Sequence, residues 1–203
     1  MRERSTGHVI LGILAVGGDL SGYEIRQWIE QAIGFFWSES FGQIYPELQR
    51  LSKARLIKAL PGEGKGREVK RYRITAAGRA ALEQWLAQSP QSERPRNELL
   101  LKVFFGSVAG ADNIRPFLDS AAKGMEARRK GIEAAEDLVA REDRSAETLV
   151  YSLVTLLSGR LVYAARLEWV RASLALLDAH AAGGNEAVLR AYSKLKKRMG
   201  DDR

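Results

Sequence analysis

Between residues 41 and 79 the chain carries ten Lys or Arg (Arg50, Lys53, Arg55, Lys58, Lys65, Arg67, Lys70, Arg71, Arg73 and Arg79) against three acids (Glu47, Glu63 and Glu68). That excess accounts for the whole formal net charge of +7 in a protein of 203 residues. Ahead of the cluster stand Gln43, Tyr45, Gln49 and Arg50, which combine amide, phenol and guanidinium groups at helical spacing. These groups suit recognition of a polyanion better than bond making. A glutamine can make two bonds to adenine and an arginine two to guanine in the DNA major groove. Tyr45 offers a hydroxyl to a phosphate. Gly42 admits close backbone approach at a helix start, where free amides attract anions. Lys65, Arg67, Lys70 and Arg71 need only reach the sugar-phosphate backbone, which gives affinity more than sequence choice.

Each residue also has a plainer reading. Gln43 serves equally as a helix cap, Tyr45 as a packing residue against the preceding helix, and Arg50 and Lys53 as a solvated face. The charges between residues 65 and 71 would also keep an exposed hairpin from aggregating. The order of the features along the chain favours recognition.

Composition removes other chemistries. There is no cysteine, which excludes disulfides, thiolate catalysis and cysteine-ligated zinc. The two histidines, His8 and His180, lie near opposite ends of the chain. No nucleophile–base pair, phosphate loop or metal-ligand spacing is visible, so neither an enzyme nor a cofactor is expected. No apolar run reaches the roughly 18–20 residues that span a bilayer. Residues 9–16 are too short for that and flow into a helix-turn-helix pattern, so neither a membrane nor a secretion signal is expected. The expected location is the cytoplasm.

The elements that must position these groups follow from periodicity and caps. Residues 6–16 form an apolar first helix closed by Gly17 and Gly18. Ser21 caps a second helix with Tyr23, Ile25, Trp28, Ile29 and Ile33 at helical spacing, ended by Gly34. Ser40 and Gln43 read as a capping box for a third helix. Pro46 then requires either an irregular first turn or a regular helix that begins nearer Tyr45. Ile44, Leu48 and Leu51 face inward, and Gln43, Glu47, Gln49, Arg50 and Lys53 face outward. Residues 56–60 and 69–74 are two strands around a glycine-rich turn, and Thr75 caps a fourth helix to about Ala87. Residues 89–97 hold two prolines and no apolar side chain, and mark a linker between domains 1–88 and 98–203.

Beyond the linker the pattern is helical: residues 98–105, then a helix capped by Asp112 to about Arg141. A long helix from Ser145 reaches towards His180 and is broken by Gly183-Gly184, and a basic segment 186–199 closes the chain. In the long helix Leu149, Leu153, Leu156, Arg160, Tyr163, Leu167, Val170, Leu174 and Leu177 recur at 4-3-4-3 spacing, a heptad seam. Val150, Val154, Leu157, Leu161 and Ala165 widen it. The seam suits a homodimer, with an intrachain helix bundle as the alternative.

Tyr23-Glu24-Ile25, the run G-Q-I-Y-P-E-L-Q-R-L over residues 42–51, Leu56-Ile57 and the run R-Y-R-I-T-A-A-G over residues 71–78 resemble the PadR family of bacterial transcriptional regulators. The match covers roughly residues 8–88, and the helical tail resembles the C-terminal domain of virulence-gene activators. The resemblance implies a mainly α fold, with an N-terminal winged helix-turn-helix bearing a two-stranded wing and a C-terminal helical dimerisation domain. It also implies a homodimeric repressor that releases operator DNA when a small molecule such as a phenolic acid binds. Tyr45 and Pro46 would open the recognition helix, and residues 65–71 would form the wing tip. The expected contacts with double-stranded DNA are thus Tyr23, Ser40, Gly42, Gln43, Tyr45, Pro46, Gln49, Arg50, Lys53, Lys65, Arg67, Lys70 and Arg71. Trp37 and Trp85 are candidates to stack an effector, and core packing is the alternative for both. A basic adaptor that uses the heptad helix and never reads DNA is the competing function. The chain departs from the family at Arg55, where a glycine is common; a left-handed backbone there would cost arginine about 1 kcal/mol.

Overall fold

The computed structural model describes residues 6–37, 41–60, 69–90, 96–141 and 146–200. The chain divides into two compact units, Met1–Glu93 and Arg94–Arg203.

In the first unit, helix α1 (Thr6–Gly17) is apolar enough to bury Ile10, Leu11, Ile13 and Leu14. Strand β1 (Leu20–Ser21) leads into helix α2 (Gly22–Trp28), whose start carries a complete capping box. The Glu24 amide donates to Ser21 Oγ at 3.2 Å, and the Ser21 amide donates to Glu24 Oε2 at 2.7 Å. The second helix is shorter than its periodicity implied, because a π-helical turn covers Ile29–Ile33. Ile29 still reaches the core through that turn.

A 3-10 turn (Phe41–Gln43) precedes helix α3 (Ile44–Lys53). This decides the question raised by Pro46. It falls in the first turn of α3, where its missing N–H has no helical partner to lose. Gln43 makes no side-chain cap, and Ser40 lies outside the described residues. Ile44, Leu48 and Leu51 are buried as the spacing required.

Strands β2 (Ile57–Leu60) and β3 (Arg71–Ile74) pair antiparallel, with Ile57 opposite Ile74 and Leu60 opposite Arg71. The sheet has a third strand that the sequence did not announce: β1 pairs with β3 through Leu20–Tyr72 and Ser21–Arg71, giving the order β1-β3-β2. Two residues are too few to show an alternation. Helix α4 (Ala76–Leu86) closes the unit, with Leu82 in the shared core.

The second unit contains helices α5 (Glu98–Phe104), α6 (Gly106–Ala109), α7 (Ala111–Arg141) and α8 (Ala146–Arg198). Gly110 ends α6 at φ 84°, so α7 begins at Ala111 with Asp112 inside its first turn and not as its cap. In α8 the backbone leaves helical geometry at Gly183 and Gly184, as the glycine pair implied. After this break the chain folds back, because Arg198 pairs with Glu168. Ile114, Leu118 and Val170 centre the core, with Trp169, Leu174 and Leu177 packed against it.

The heptad seam is turned towards its own chain. Leu156, Tyr163, Leu167 and Val170 are all buried within the unit, Val170 at 0% exposure. Leu149, Leu174 and Leu177 are half-buried, and Arg160 pairs with Glu136 of α7 at 2.5 Å. Among the nine seam positions the apolar one left exposed is Leu153. A 4-3 repeat specifies a helix partner without saying which chain supplies it, and here α7 supplies it. The flanking stripe stays outside: Val150, Val154, Leu157 and Leu161 are 51–62% exposed. That double apolar face also makes the helix more apolar over its length than the uninterrupted runs implied. The helix Thr148–Arg198 contains an 18-residue window of mean hydropathy 1.4, long and apolar enough to cross a membrane by length and composition.

Candidate nucleic-acid interface

The α3 backbone sorts the candidate residues by face. Gly42, Gln43, Tyr45, Pro46, Gln49, Arg50 and Lys53 are exposed, while Ile44, Glu47, Leu48 and Leu51 are buried beneath them. Gly42, Tyr45, Gln49 and Lys53 follow one another at three- and four-residue steps, so they form a single outer row. Tyr45 is 59% exposed and lies over Gly22 of α2, where an added Cβ would sit 2.7 Å from its ring. Gly22 thus sets how closely the tyrosine can lie on α2. Tyr23, the next residue, is 60% exposed, and its hydroxyl accepts from Gln27 Nε2 at 3.4 Å.

Glu47 was expected outside, but it is 4% exposed. Its carboxylate takes Arg50 Nη2 at 2.6 Å and Arg50 Nε at 2.9 and 3.0 Å. The pair abuts α1 at Gly7, where a Cβ would meet Glu47 Oε1 at 2.5 Å and Arg50 Nη2 at 2.9 Å. The hydrogen bond to Glu47 raises the Arg50 pKa above its ordinary value. Arg50 therefore neutralises a buried acid through Nε and Nη2 while its side chain stays 59% exposed. A glutamate three residues before an arginine on a solvated helix looks the same in sequence; only the approach of α1 buries it.

Arg71 is likewise diverted from the wing. Its Nη1 lies 3.2–3.3 Å from the Glu24 carboxylate and its Nη2 donates to the Asp19 carbonyl, tying β3 to the start of α2. Arg73 forks onto the Asp19 carboxylate, with Nε to Oδ1 at 2.6 Å. The Arg73 hydrogen bond holds the Asp19 carboxyl below its ordinary pKa. Glu24 is lowered chiefly by the Ser21 amide, with help from the Ser21 hydroxyl and Arg71. Lys70, by contrast, is exposed just before β3. Lys65 and Arg67 lie outside the described residues.

The join between α3 and the wing shows why the family residues stand where they do. Ala54 is the C-cap of α3, Arg55 follows with φ 58°, and the chain makes the paired bonds of a Schellman ending. The Leu56 amide reaches the Leu51 carbonyl and the Arg55 amide the Ser52 carbonyl, both at 3.0 Å. Thr75 Oγ1 donates to the carbonyls of Arg55 and Leu56 at 2.8 and 3.0 Å and accepts from the Gly78 amide at 3.0 Å. Gly78 is packed so tightly that a Cβ would lie 2.1 Å from the Leu56 carbonyl oxygen. The T-x-x-G motif thus clamps the end of α3 to the start of α4 across the wing strands.

Both proposed effector tryptophans are partly buried in the first unit. Trp85 stacks its ring on His8, with centroids 4.8 Å apart and planes 5° from parallel, and packs on the core. That occupies one face of the ring that was to stack a ligand. Trp37 is half-buried, with its amide on the Ile33 carbonyl at 2.8 Å. Among the described residues, no group of acids and histidines is arranged to hold a metal.

Comparison with known proteins agrees with this geometry. Residues 10–84 match the transcriptional regulator PadR-like family, and residues 95–178 match the virulence activator alpha C-terminal family. The negative transcriptional regulator PadR of Bacillus subtilis is 31% identical over 148 residues, covering 71% of this chain and 79% of that protein. Its structure in complex with operator DNA is similar at TM-score 0.74 and 27% identity, over 87% of this chain and 99% of that one. Its complex with p-coumaric acid is similar at TM-score 0.65 and 28% identity, over 86% and 99%. The Vibrio cholerae virulence activator AphA is similar at TM-score 0.66 and 30% identity, over 86% and 99%. With a winged helix clamped by its own T-x-x-G motif and a helical C-terminal unit of the virulence-activator type, the chain belongs to the PadR-like family of transcriptional regulators.

Proposed function

We propose that the chain is a homodimeric repressor that reads an operator with α3 and releases it when a small organic effector binds. The observation that carries this reading is the exposed row Gly42, Tyr45, Gln49 and Lys53, mounted on a helix whose opposite face is fully buried. A recognition helix needs that rigidity to hold its side chains in the groove. Gln43 and Pro46 flank the row, Tyr23 lies beside it on α2, and Lys70 with the basic residues 65 and 67 supplies backbone contacts. Arg50 and Arg71 act at one remove, by holding α3 against α1 and β3 against α2. Repression and response to an aromatic acid are supported by the similarity to the B. subtilis negative regulator, whose structures include operator DNA and p-coumaric acid.

Dimerisation is assigned to the outer stripe of α8 (Val150, Leu153, Val154, Leu157 and Leu161), since the inner seam is taken up by α7. One specific reader module gains discrimination by being paired at a fixed spacing on a two-fold site. The proposed division of labour is residues 1–88 for DNA, 89–97 as linker and 98–203 for dimerisation and response, in the cytoplasm. Gel shifts with the DNA upstream of the protein's own gene, run at several salt concentrations, test this. A specific complex that persists against competitor DNA is expected. Binding that is equal for all sequences, or absent, favours the protein-binding adaptor instead.

A further inference from the structure

The ring of Tyr45, in the exposed row of α3, lies against the first residue of α2. A Cβ added at Gly22 would sit 2.7 Å from Tyr45 Cε1 and 3.3 Å from its Cζ. The φ of Gly22 is not in the left-handed region, so the backbone does not demand a glycine there. What the missing Cβ provides is room for the ring. Gly22 itself is buried and held firmly. The Ser21–Glu24 capping box fixes the start of α2, and β1 pairs Leu20 with Tyr72 and Ser21 with Arg71 of the wing. Arg71 adds a side-chain tie to the Glu24 carboxylate at 3.2–3.3 Å. Tyr72 is half-buried on β3; burial raises its pKa, and the nearby Tyr45 phenol adds to the rise. The ring of Tyr45 thus rests where α2, α3 and β3 meet.

Of the two partners in this contact, Gly22 is the fixed one. Tyr45 is 59% exposed, so its ring can turn outwards. A methyl at 2.7 Å would be relieved by that turn, since the clash falls on the far end of a side chain and not on backbone. The helices would stay in place and the reader side chain would lose its pose. A phenol already seated gives up little rotamer freedom on binding, whereas one that has swung free must be ordered again.

We propose that Gly22 is a positioning residue for sequence recognition: it seats the Tyr45 ring so that the hydroxyl meets DNA in one pose, and thereby sets the register of α3 on its operator. The proposal rests on the reading of α3 given above and adds a buried residue of α2 to the recognition machinery.

The test is a double-mutant cycle on the full-length protein, Gly22→Ala with Tyr45→Ala. Binding is read by fluorescence anisotropy on the DNA upstream of the protein's own gene and on a scrambled duplex of the same composition. Gly22→Ala should weaken the upstream complex about tenfold, the loss of one hydrogen bond to a charged group. Its affinity for the scrambled duplex and its salt slope should hold, because no cation is removed. Tyr45→Ala should also weaken the upstream complex about tenfold, and the double variant no further. Without the ring, the new methyl meets nothing nearer than Leu48 Cδ1 at 3.4 Å. A glycine with a merely structural role would lower binding to both duplexes alike and add its loss to that of Tyr45→Ala. Either result overturns the proposal, as does an unchanged upstream affinity in Gly22→Ala. A Gly22→Ala protein that fails to fold overturns it too, because the ring is expected to yield before the fold does. Wild-type protein that prefers neither duplex overturns the reading of α3 itself, and this proposal with it.

Discussion

Arg55→Gly should make the protein more stable. Arg55 occupies the position after the C-cap of α3 at φ 58°, while the paired bonds of the helix ending are fully formed. An L-residue in that region is disfavoured by about 1–2 kcal/mol. Glycine there returns about 0.5–1 kcal/mol through the greater freedom of the unfolded chain. The difference leaves a net gain of about 0.5–1 kcal/mol, because the exposed Arg55 side chain gives up little packing. For a unit of this size the gain corresponds to roughly 2–8 °C in Tm. Thermal unfolding followed by circular dichroism measures it, with Arg55→Asn as a second residue that tolerates the left-handed region. The same variants report whether the arginine touches DNA. Loss of one phosphate contact would lower the slope of log binding constant against log salt by about 0.9. An unchanged or lower Tm in both variants would refute the strain argument, whatever happens to DNA binding.

Arg50→Ala should cost about 1–3 kcal/mol, placed between exposed and buried pairs because Arg50 is 59% exposed while Glu47 is not. Adding Glu47→Gln should restore part of that loss in denaturant titration; additive losses would show that the two residues act separately. Gly78→Ala forces a Cβ to within 2.1 Å of the Leu56 carbonyl, so a loss of about 1–3 kcal/mol is expected in the same assay. A neutral outcome would mean that the α3–wing clamp yields freely. Asp19 and Glu24 have folded pKa values below their ordinary 3.8 and 4.5, so the unfolded state binds more protons. The stability they contribute is present above those ordinary values and is lost as pH falls through the folded ones. Asp19→Asn with Glu24→Gln should therefore flatten the dependence of Tm on pH below about pH 5, and an unaltered slope would contradict the assigned pairs.

Much of the winged helix was legible because its signals are local. Ser21 with Glu24, Thr75 with Gly78 and the 44-48-51 spacing act within one helical turn, so residue order alone specifies them. The row Tyr45, Gln49 and Lys53 followed from the same period. Arg55 was visible through the family resemblance, as the position where a glycine is common, and it does take the left-handed backbone. What the chain order could not reveal were partners chosen across it. Arg71 meets Glu24 across 47 positions and Arg73 meets Asp19 across 54, which makes struts of two cations from the basic cluster. Glu47 became a buried acid only when α1 packed over it at Gly7.

The heptad seam draws the same boundary. Its spacing determined that one face of α8 must be covered, because nine recurrent positions cannot all stay in water. Which helix covers it depends on which element the fold brings alongside, and here that element is α7. The sequence by itself determined the kinds of element, their caps and the excess of positive charge over residues 41–79. Tertiary structure decided which charges are spent inside the protein and which apolar stripe of α8 stays exposed. The physical reason is that periodicity and capping are short-range, whereas neutralisation and burial depend on whatever the fold brings within a few ångströms.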